Sequence, residues 1–187
     1  RMSSEVRDLE ELRAAVRRGE RVKYLYFWGH RRKGILGAEC LSQWYPAAFV
    51  LDGHRFATAE HSMMFAKAML FGDDETAQRI VDARSPGAAK SLGREVRGFV
   101  EATWAAHRFD IVIRGNEAKF GQNPPLAEFL LTTGTKVLVE ASPSDRIWGI
   151  GMTEHAPEAT NPLEWRGSNL LGFALMDVRR RLCVQRR

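Results

Sequence analysis

Apolar residues recur at helical spacing from Glu5 to Arg18, where Val6, Leu9, Leu12 and Val16 share one face and Gly19 supplies a stop. This predicts an amphipathic helix that either docks on the domain or meets a partner. Val22 to Trp28 (VKYLYFW) turns β-branched and aromatic, the pattern of a strand. A basic, glycine-containing loop follows from His30 to Gly37, then Leu41-Ser42-Gln43-Trp44-Tyr45-Pro46. A second short strand is expected around Phe49 to Leu51, closed by an Asp52-Gly53 turn.

Helical patterns then dominate. Thr58 is placed to cap a helix from Ala59 to about Phe71, with Glu60 in the first turn where the dipole favours an anion. Gly72-Asp73-Asp74 ends it and caps a helix running to about Ala83. Ser85-Pro86 marks a short helix to Gly93. Phe99 to Phe120 is the longest helical stretch, with Trp104, His107, Ile111 and Ala118 assigned to one face. Asn123-Pro124 opens a further helix that Gly134 stops. Lys136 to Ala141 (KVLVEA) reads as a strand, Ser142 to Asn161 as a polar loop, and Asn169 to Leu182 as a last amphipathic helix carrying Leu171, Leu175, Val178 and Leu182. The expected fold class is α+β: one compact domain, mostly helical, with a few short strands.

Composition narrows the function classes. The 187 residues suit one domain with its own core, and 44% apolar content with five tryptophans and ten phenylalanines excludes disorder. Cys40 and Cys183 are too few and too scattered for a disulfide framework or a zinc site, so a reducing cytoplasm is the expected location. No apolar run approaches a membrane span of ~20 residues. The amino terminus is too charged to read as a signal peptide. The net charge of +5 is unevenly spread: residues 1–33 hold ten basic and five acidic side chains, residues 179–187 five arginines and no acid, and the stretch between them 13 basic and 18 acidic. The basic excess therefore lies at the ends, where charge more often serves recruitment than a site.

Several chemistries are absent. No GxxxxGK[ST], GxGxxG or GxSxG segment occurs, the five histidines lack HxxxH or HExxH spacing, and no CxxC is present. Carboxylates, amines and aromatic faces remain. Glu60, Met64 and Lys67 fall at i, i+4 and i+7 on one helical stripe, their acidic and basic backbones roughly 10 Å apart. Two readings stand: a dipole-complementing acid and a solvated amine, or an acid–amine pair facing one pocket. The loop Ser142-Pro143-Ser144-Asp145-Arg146-Ile147-Trp148-Gly149-Ile150-Gly151 offers a carboxylate, a flat indole and glycines that allow close approach. Here too a plain turn, with Asp145 capping the backbone and Trp148 filling the core, stands beside the functional reading. Lys119 at the end of the long helix and Asn169 before the last one are each explained by helix-terminal roles as well as by ligand binding.

Taken in order, these segments resemble the YbiA-like, or NADAR, family. The matching segments are Phe27-Trp28, Leu41-Ser42-Gln43-Trp44, Thr58-Ala59-Glu60-His61, Lys67-Ala68, Ala89-Lys90, Leu92-Gly93-Arg94, Trp104, Ala118-Lys119-Phe120, Leu131-Thr132-Thr133-Gly134 and Val139-Glu140-Ala141. Phe56 precedes the Thr58 segment, and the set ends with Asp145-Arg146-Ile147-Trp148-Gly149-Ile150-Gly151 and Asn169-Leu170-Leu171-Gly172 with Leu175-Met176 and Arg179. The resemblance spans about residues 24–182. It implies an extension over 1–21, a family domain over 22–182 and a basic tail over 183–187.

The resemblance further implies a hydrolase of N-glycosidic bonds that needs neither metal nor cofactor. Its implied substrates are ADP-ribose joined to guanine in nucleic acid or nucleotides, or phosphorylated ribosylamino-pyrimidines of riboflavin synthesis; a non-catalytic ADP-ribose-binding module is the alternative from another class. It matches Glu60 and Lys67 to the family's acidic and lysine positions and Asp145, Trp148 and Gly149 to its DxxWGxG loop. With it, Lys67, Glu60 and Asp145 are expected in catalysis and His61, Trp148, Gly149, Met64, Trp44, Lys119 and Asn169 in substrate contact. A toxin ADP-ribosyltransferase is the implied counterpart. Ser62 and Met64 depart from the aromatic and glutamine that some members carry after the Glu-His pair, which bears on base selectivity.

Overall fold

The structure is a computed structural model and describes residues 6–31 and 34–186. Its first helix, α1 (Leu9–Arg17), starts at Asp8, whose side chain accepts a hydrogen bond from the Glu11 amide. Leu12 and Ala15 are buried in the main core, and Arg13 Nε donates to the Pro162 carbonyl at 3.1 Å, so α1 docks on the domain. The expected helix reached back to Glu5, which lies outside the described residues; Val6 and Arg7, which are described, precede the helix, because Asp8 caps its start.

Strands β1 (Tyr24–Phe27) and β4 (Val137–Glu140) pair in parallel, with Tyr24 opposite Val137 and Phe27 opposite Glu140. Val137, Leu138 and Val139 are all buried, because β4 is covered on both faces, with α7 (Leu170–Gln185) on one of them. Strands β2 (Phe49–Leu51) and β3 (His54–Phe56) form an antiparallel hairpin. Its Asp52-Gly53 turn has φ of 51° and 78°, the doubly left-handed geometry that matches strand twist. A single-turn 3-10 segment, Ala38–Leu41, links the first loop to the residues before β2.

Four helices build the other half: α2 (Ala59–Leu70), α3 (Asp74–Val81), α4 (Pro86–Arg94) and α5 (Glu101–Gln122). Thr58, Asp73 and Ser85 cap α2, α3 and α4, as the sequence pattern predicts. Helix α2 packs against α3, α4 and α5, while α5 also packs on α7. Helix α6 (Pro124–Thr132) completes the chain between α5 and β4. The fold is α+β, largely helical with a few short strands.

The long helix corrects one expectation. His107 is exposed, and the buried stripe of α5 runs through Trp104, Val112, Gly115, Asn116, Lys119 and Phe120. An apolar pattern cannot register a stripe whose lower half buries an amide and an ammonium. The carboxyl-terminal boundary also differs: α7 continues through residues 183–185, and Arg186 pairs with Glu128 while Arg181 pairs with Glu117 and Asp177. Arg180, Arg181 and Arg186 are thus engaged in ion pairs on the domain's own surface. Among the described residues no helix is long and apolar enough to cross a membrane.

Candidate active site

A cavity of about 190 Å3 lies where α2, α4, α5 and the end of β4 converge. Helix α2 contributes Glu60, Met63, Met64 and Lys67; α4 contributes Lys90, Gly93 and Arg94; α5 contributes Trp104. Glu140 enters from the last position of β4, Asp145 and Trp148 from the loop that follows, and Ser42, Gln43 and Trp44 form the remaining wall.

Local hydrogen bonds explain why these pieces meet. The Gln43 carbonyl accepts from the Glu60 amide at 2.9 Å, so a first-turn donor of α2 that a helix leaves unpaired is used to hold the 42–44 wall. From behind, Lys119 Nζ donates to the carbonyls of Cys40 and Ser42 at 2.8 and 2.9 Å. Asn116 Nδ2 donates to Gln43 Oε1 at 2.7 Å. The two buried polar residues of α5 therefore fix one wall of the cavity without entering it.

The loop after β4 is fixed in a similar way. Asp145 Oδ1 accepts from the amides of Ile147 and Trp148 at 2.9 and 2.8 Å, a tight side-chain-closed turn. Gly149 is required by crowding: a Cβ there would stand 2.8 Å from the Glu140 carbonyl oxygen and 3.0 Å from that of Asp145. Asn169, at φ 53°, accepts from the Glu140 amide and donates to the Leu138 carbonyl, pinning the end of β4 to the start of α7.

The electrostatics are dominated by burial. Glu60 is 3% exposed and its carboxyl is pushed up to about 7, chiefly by desolvation and further by Asp145, against the pull of Lys90, the Trp44 side chain and Arg94. Glu140 is pushed up to about 8, again first by burial and then by Asp145 and Glu60. Its Oε2 is buried with no hydrogen-bond partner. Burial also lowers the Lys67 amine, with Arg94 adding to the effect and Glu101 opposing it. Lys67 Nζ donates to the Gly93 carbonyl at 2.8 Å and lies 4.5 Å above the Phe99 ring and 5.6 Å from that of Trp104.

The residues singled out in the sequence divide into two groups. Lys67, Glu60, Asp145, Met64, Trp44 and Trp148 all line the cavity. His61 does not: its ring nitrogens contact Thr58 Oγ1 at 2.7 Å and the Ala83 carbonyl at 3.0 Å, tying α2 to the end of α3. Lys119, Gly149 and Asn169 are buried around the site and support its walls. Three residues with chemistry were present in the family-like segments without an assigned role, namely Lys90, Arg94 and Glu140. Lys90 and Arg94 stand at i and i+4 on α4, so both reach the same cavity wall. Among the described residues no group of three or more His, Cys, Asp or Glu side chains is arranged to hold a metal ion.

This arrangement can protonate, deprotonate and attack. Two buried carboxyls that hold protons near neutrality, a third carboxylate, an amine lowered by burial and three indoles surround one small space.

Comparison with known proteins agrees with the segments identified above. An N-glycosidase of Acanthamoeba polyphaga mimivirus is 48% identical over 164 residues, covering 84% of this chain and 95% of that protein. A riboflavin biosynthesis protein of Vibrio vulnificus is 31% identical over 142 residues, 76% of this chain but only 35% of that protein. N-glycosidase YbiA of Escherichia coli is 29% identical over 136 residues, 73% of this chain and 76% of that protein. Its NMR structure aligns with a TM-score of 0.71 at 24% identity, covering 88% of this chain and 87% of that one, which establishes the shared fold. Residues 26–183 match the NADAR domain. With a match of that extent, the chain belongs to the NADAR domain family.

Proposed function

We propose that this protein hydrolyses N-glycosidic bonds and removes ADP-ribose from guanine-type bases in nucleotides or nucleic acid. The observation that carries the reading is that Lys67 and Glu60, an amine and a protonatable carboxyl, face one indole-walled cavity. Trp44, Trp104 and Trp148 offer flat faces to a base and a sugar. Lys90 and Arg94 offer cations to a phosphate on the ribose.

The residues support a covalent route. Protonation of the ribose ring oxygen by Glu60 breaks the bond from C1 to that oxygen, and the exocyclic nitrogen of the base becomes an iminium. Lys67, made less basic by burial, donates one N–H to Gly93 and, once deprotonated, directs its lone pair at C1. The added Lys67 nitrogen passes one proton to the base nitrogen, and the bond from C1 to that nitrogen breaks, its electron pair leaving with the base amine. A protonated Schiff base joins Lys67 to C1. Water adds to C1, one proton passing to a carboxylate such as Asp145, which returns it to the Lys67 nitrogen as that nitrogen departs; the new hydroxyl gives its proton to Glu60, and the aldehyde closes to free ADP-ribose. The amine is regenerated and the carboxyls return to their starting states over the cycle.

A second reading uses the same chemistry on phosphorylated ribosylamino-pyrimidines. It is favoured by the name of the Vibrio vulnificus relative and by a cavity of about 190 Å3, small for more than one ring system and a sugar. Incubating the protein with an oligonucleotide carrying ADP-ribosylated guanosine, and separately with a ribosylamino-pyrimidine phosphate, distinguishes them by release rate. Faster release from the first supports the proposal, and faster release from the second favours the alternative. No release from either, with ADP-ribose bound, reduces the protein to a binding module.

A further inference from the structure

A second, larger cleft of about 570 Å3 opens at the carboxyl ends of β1 and β4. Trp28, His30, Arg31, Thr153 and His155 are among its lining residues. It adjoins the cavity. Phe27 and Ala141 line the cleft, whereas Glu140, the register partner of Phe27, lines the cavity. The rings of His30 in the cleft and Trp44 in the cavity lie 5.6 Å apart, so the two spaces share that wall.

Three properties of the cleft point to one kind of ligand. Trp28, one residue beyond β1, is 62% exposed and has no ring partner among the described residues. The acids of the cleft are occupied: Glu39 accepts from the Gly37 amide at 3.1 Å, and Glu154 lies 3.8 Å from His155. Arg31 has no ion pair among the described residues. A bare indole beside an unengaged guanidinium is the chemistry of a stacked base with its phosphate. Size agrees, because pockets for drug-sized ligands run to roughly 300–1,000 Å3. The cavity, at 190 Å3, falls short of that range and the cleft, at 570 Å3, falls within it.

We propose that the cleft is a nucleotide subsite continuous with the cavity, in which Trp28 stacks a base of the substrate beyond the ribose being released and Arg31 meets its phosphate. The proposal rests on the glycosidase reading for the identity of the substrate. Its chemistry is shared by the adenylate end of ADP-ribose and by a neighbouring nucleotide in a strand.

The test uses Trp28→Ala and Trp28→Phe with three substrates: ADP-ribosylated guanosine, the guanosine adduct of ribose 5-phosphate lacking adenylate, and the ADP-ribosylated guanosine within an oligonucleotide. With adenylate as the stacked base, Trp28→Ala lowers the kcat/KM ratio of the first to the second about tenfold, the scale of one base stacked on an aromatic. Trp28→Phe restores it. With a strand neighbour as the stacked base, only the ratio of the third to the first falls. If both ratios stay within twofold of the wild type, the proposal is overturned.

A titration with AMP followed by tryptophan fluorescence separates the two claims. Saturable binding that weakens about tenfold in Trp28→Ala supports the subsite, even if the wild type cleaves no substrate and the glycosidase reading fails. Turnover without any saturable AMP binding overturns the subsite and leaves the glycosidase reading intact.

Discussion

The Lys67 amine stands 2.8 Å from the carbonyl oxygen of Gly93, joining α2 to the last turn of α4 at the wall of the cavity. The contact orients the side chain, and the absence of a Cβ on Gly93 makes room for Met64, whose sulfur occupies the place a Cβ would take.

Lys67 therefore gives the sharpest mutational prediction. Lys67→Ala is expected to lower kcat by about 10³-fold or more, the scale on which losing a covalent nucleophile exceeds losing one hydrogen bond. Lys67→Arg keeps a cation that can bond Gly93 but no usable lone pair, so it is expected to be equally inactive. Steady-state release of base measures both, and recovery of activity in the arginine variant would assign Lys67 a purely structural role.

The carboxyls set the pH dependence. Glu60 and Glu140, raised to about 7 and about 8, hold protons below those values, whereas the Lys67 amine becomes more neutral as pH rises. The dependence of kcat/KM on pH is thus expected to be bell-shaped, with a descending limb near pH 7–8 belonging to the coupled carboxyl pair. Glu60→Gln is expected to lower kcat by about 10²–10⁴-fold and to remove that limb. A limb that persists unchanged in Glu60→Gln would transfer the acid role to Glu140.

Glu140 also ties stability to pH. Its carboxyl is protonated in both states below about 4.5, ionises first in the unfolded chain as pH rises, and ionises in the folded protein only near 8. Stability is therefore fully present below the unfolded value and is lost as pH rises toward 8. Denaturant titrations between pH 5 and 8 are expected to show a shallower fall for Glu140→Gln than for the wild type, by up to ~1.4 kcal/mol per pH unit for one proton. Parallel slopes would show that the Glu140 carboxyl does not contribute.

Asn169 is expected to act on stability instead of on substrate contact. Replacing it with Ala leaves the Glu140 amide and the Leu138 carbonyl without their partners and puts a side chain at φ 53° that Ala adopts poorly. A loss of about 2–5 kcal/mol follows from two unsatisfied buried groups. Chemical denaturation checks this, and an unchanged midpoint would contradict it.

What the sequence discloses and what it hides divide along physical lines. The caps at Thr58 and Ser85, the Asp52-Gly53 turn and the apolar face of α7 are local, and each follows from neighbouring residues. The stripe of Glu60, Met64 and Lys67 is legible for the same reason, since helical spacing alone puts the three on one side. Lys119 and Asn116 are hidden because an apolar pattern scores every ammonium and amide as solvated. Their partners, Cys40, Ser42 and Gln43, are more than 70 positions away. Glu140 is hidden by its strand: alternation assigns it to an exposed face, but β4 is covered on both sides. Lys90 and Arg94 need the packing of α4 on α2 before they become part of a site.

On the proposed route Lys67 forms a bond to the ribose during turnover. The most direct measurement is to add borohydride while the enzyme is cleaving ADP-ribosylated guanosine, and to locate the reduced adduct by mass spectrometry. One ADP-ribosyl adduct is expected, on Lys67, accumulating at the expense of activity. An active enzyme that yields no adduct, together with a Lys67→Ala variant that still releases guanosine, would contradict it.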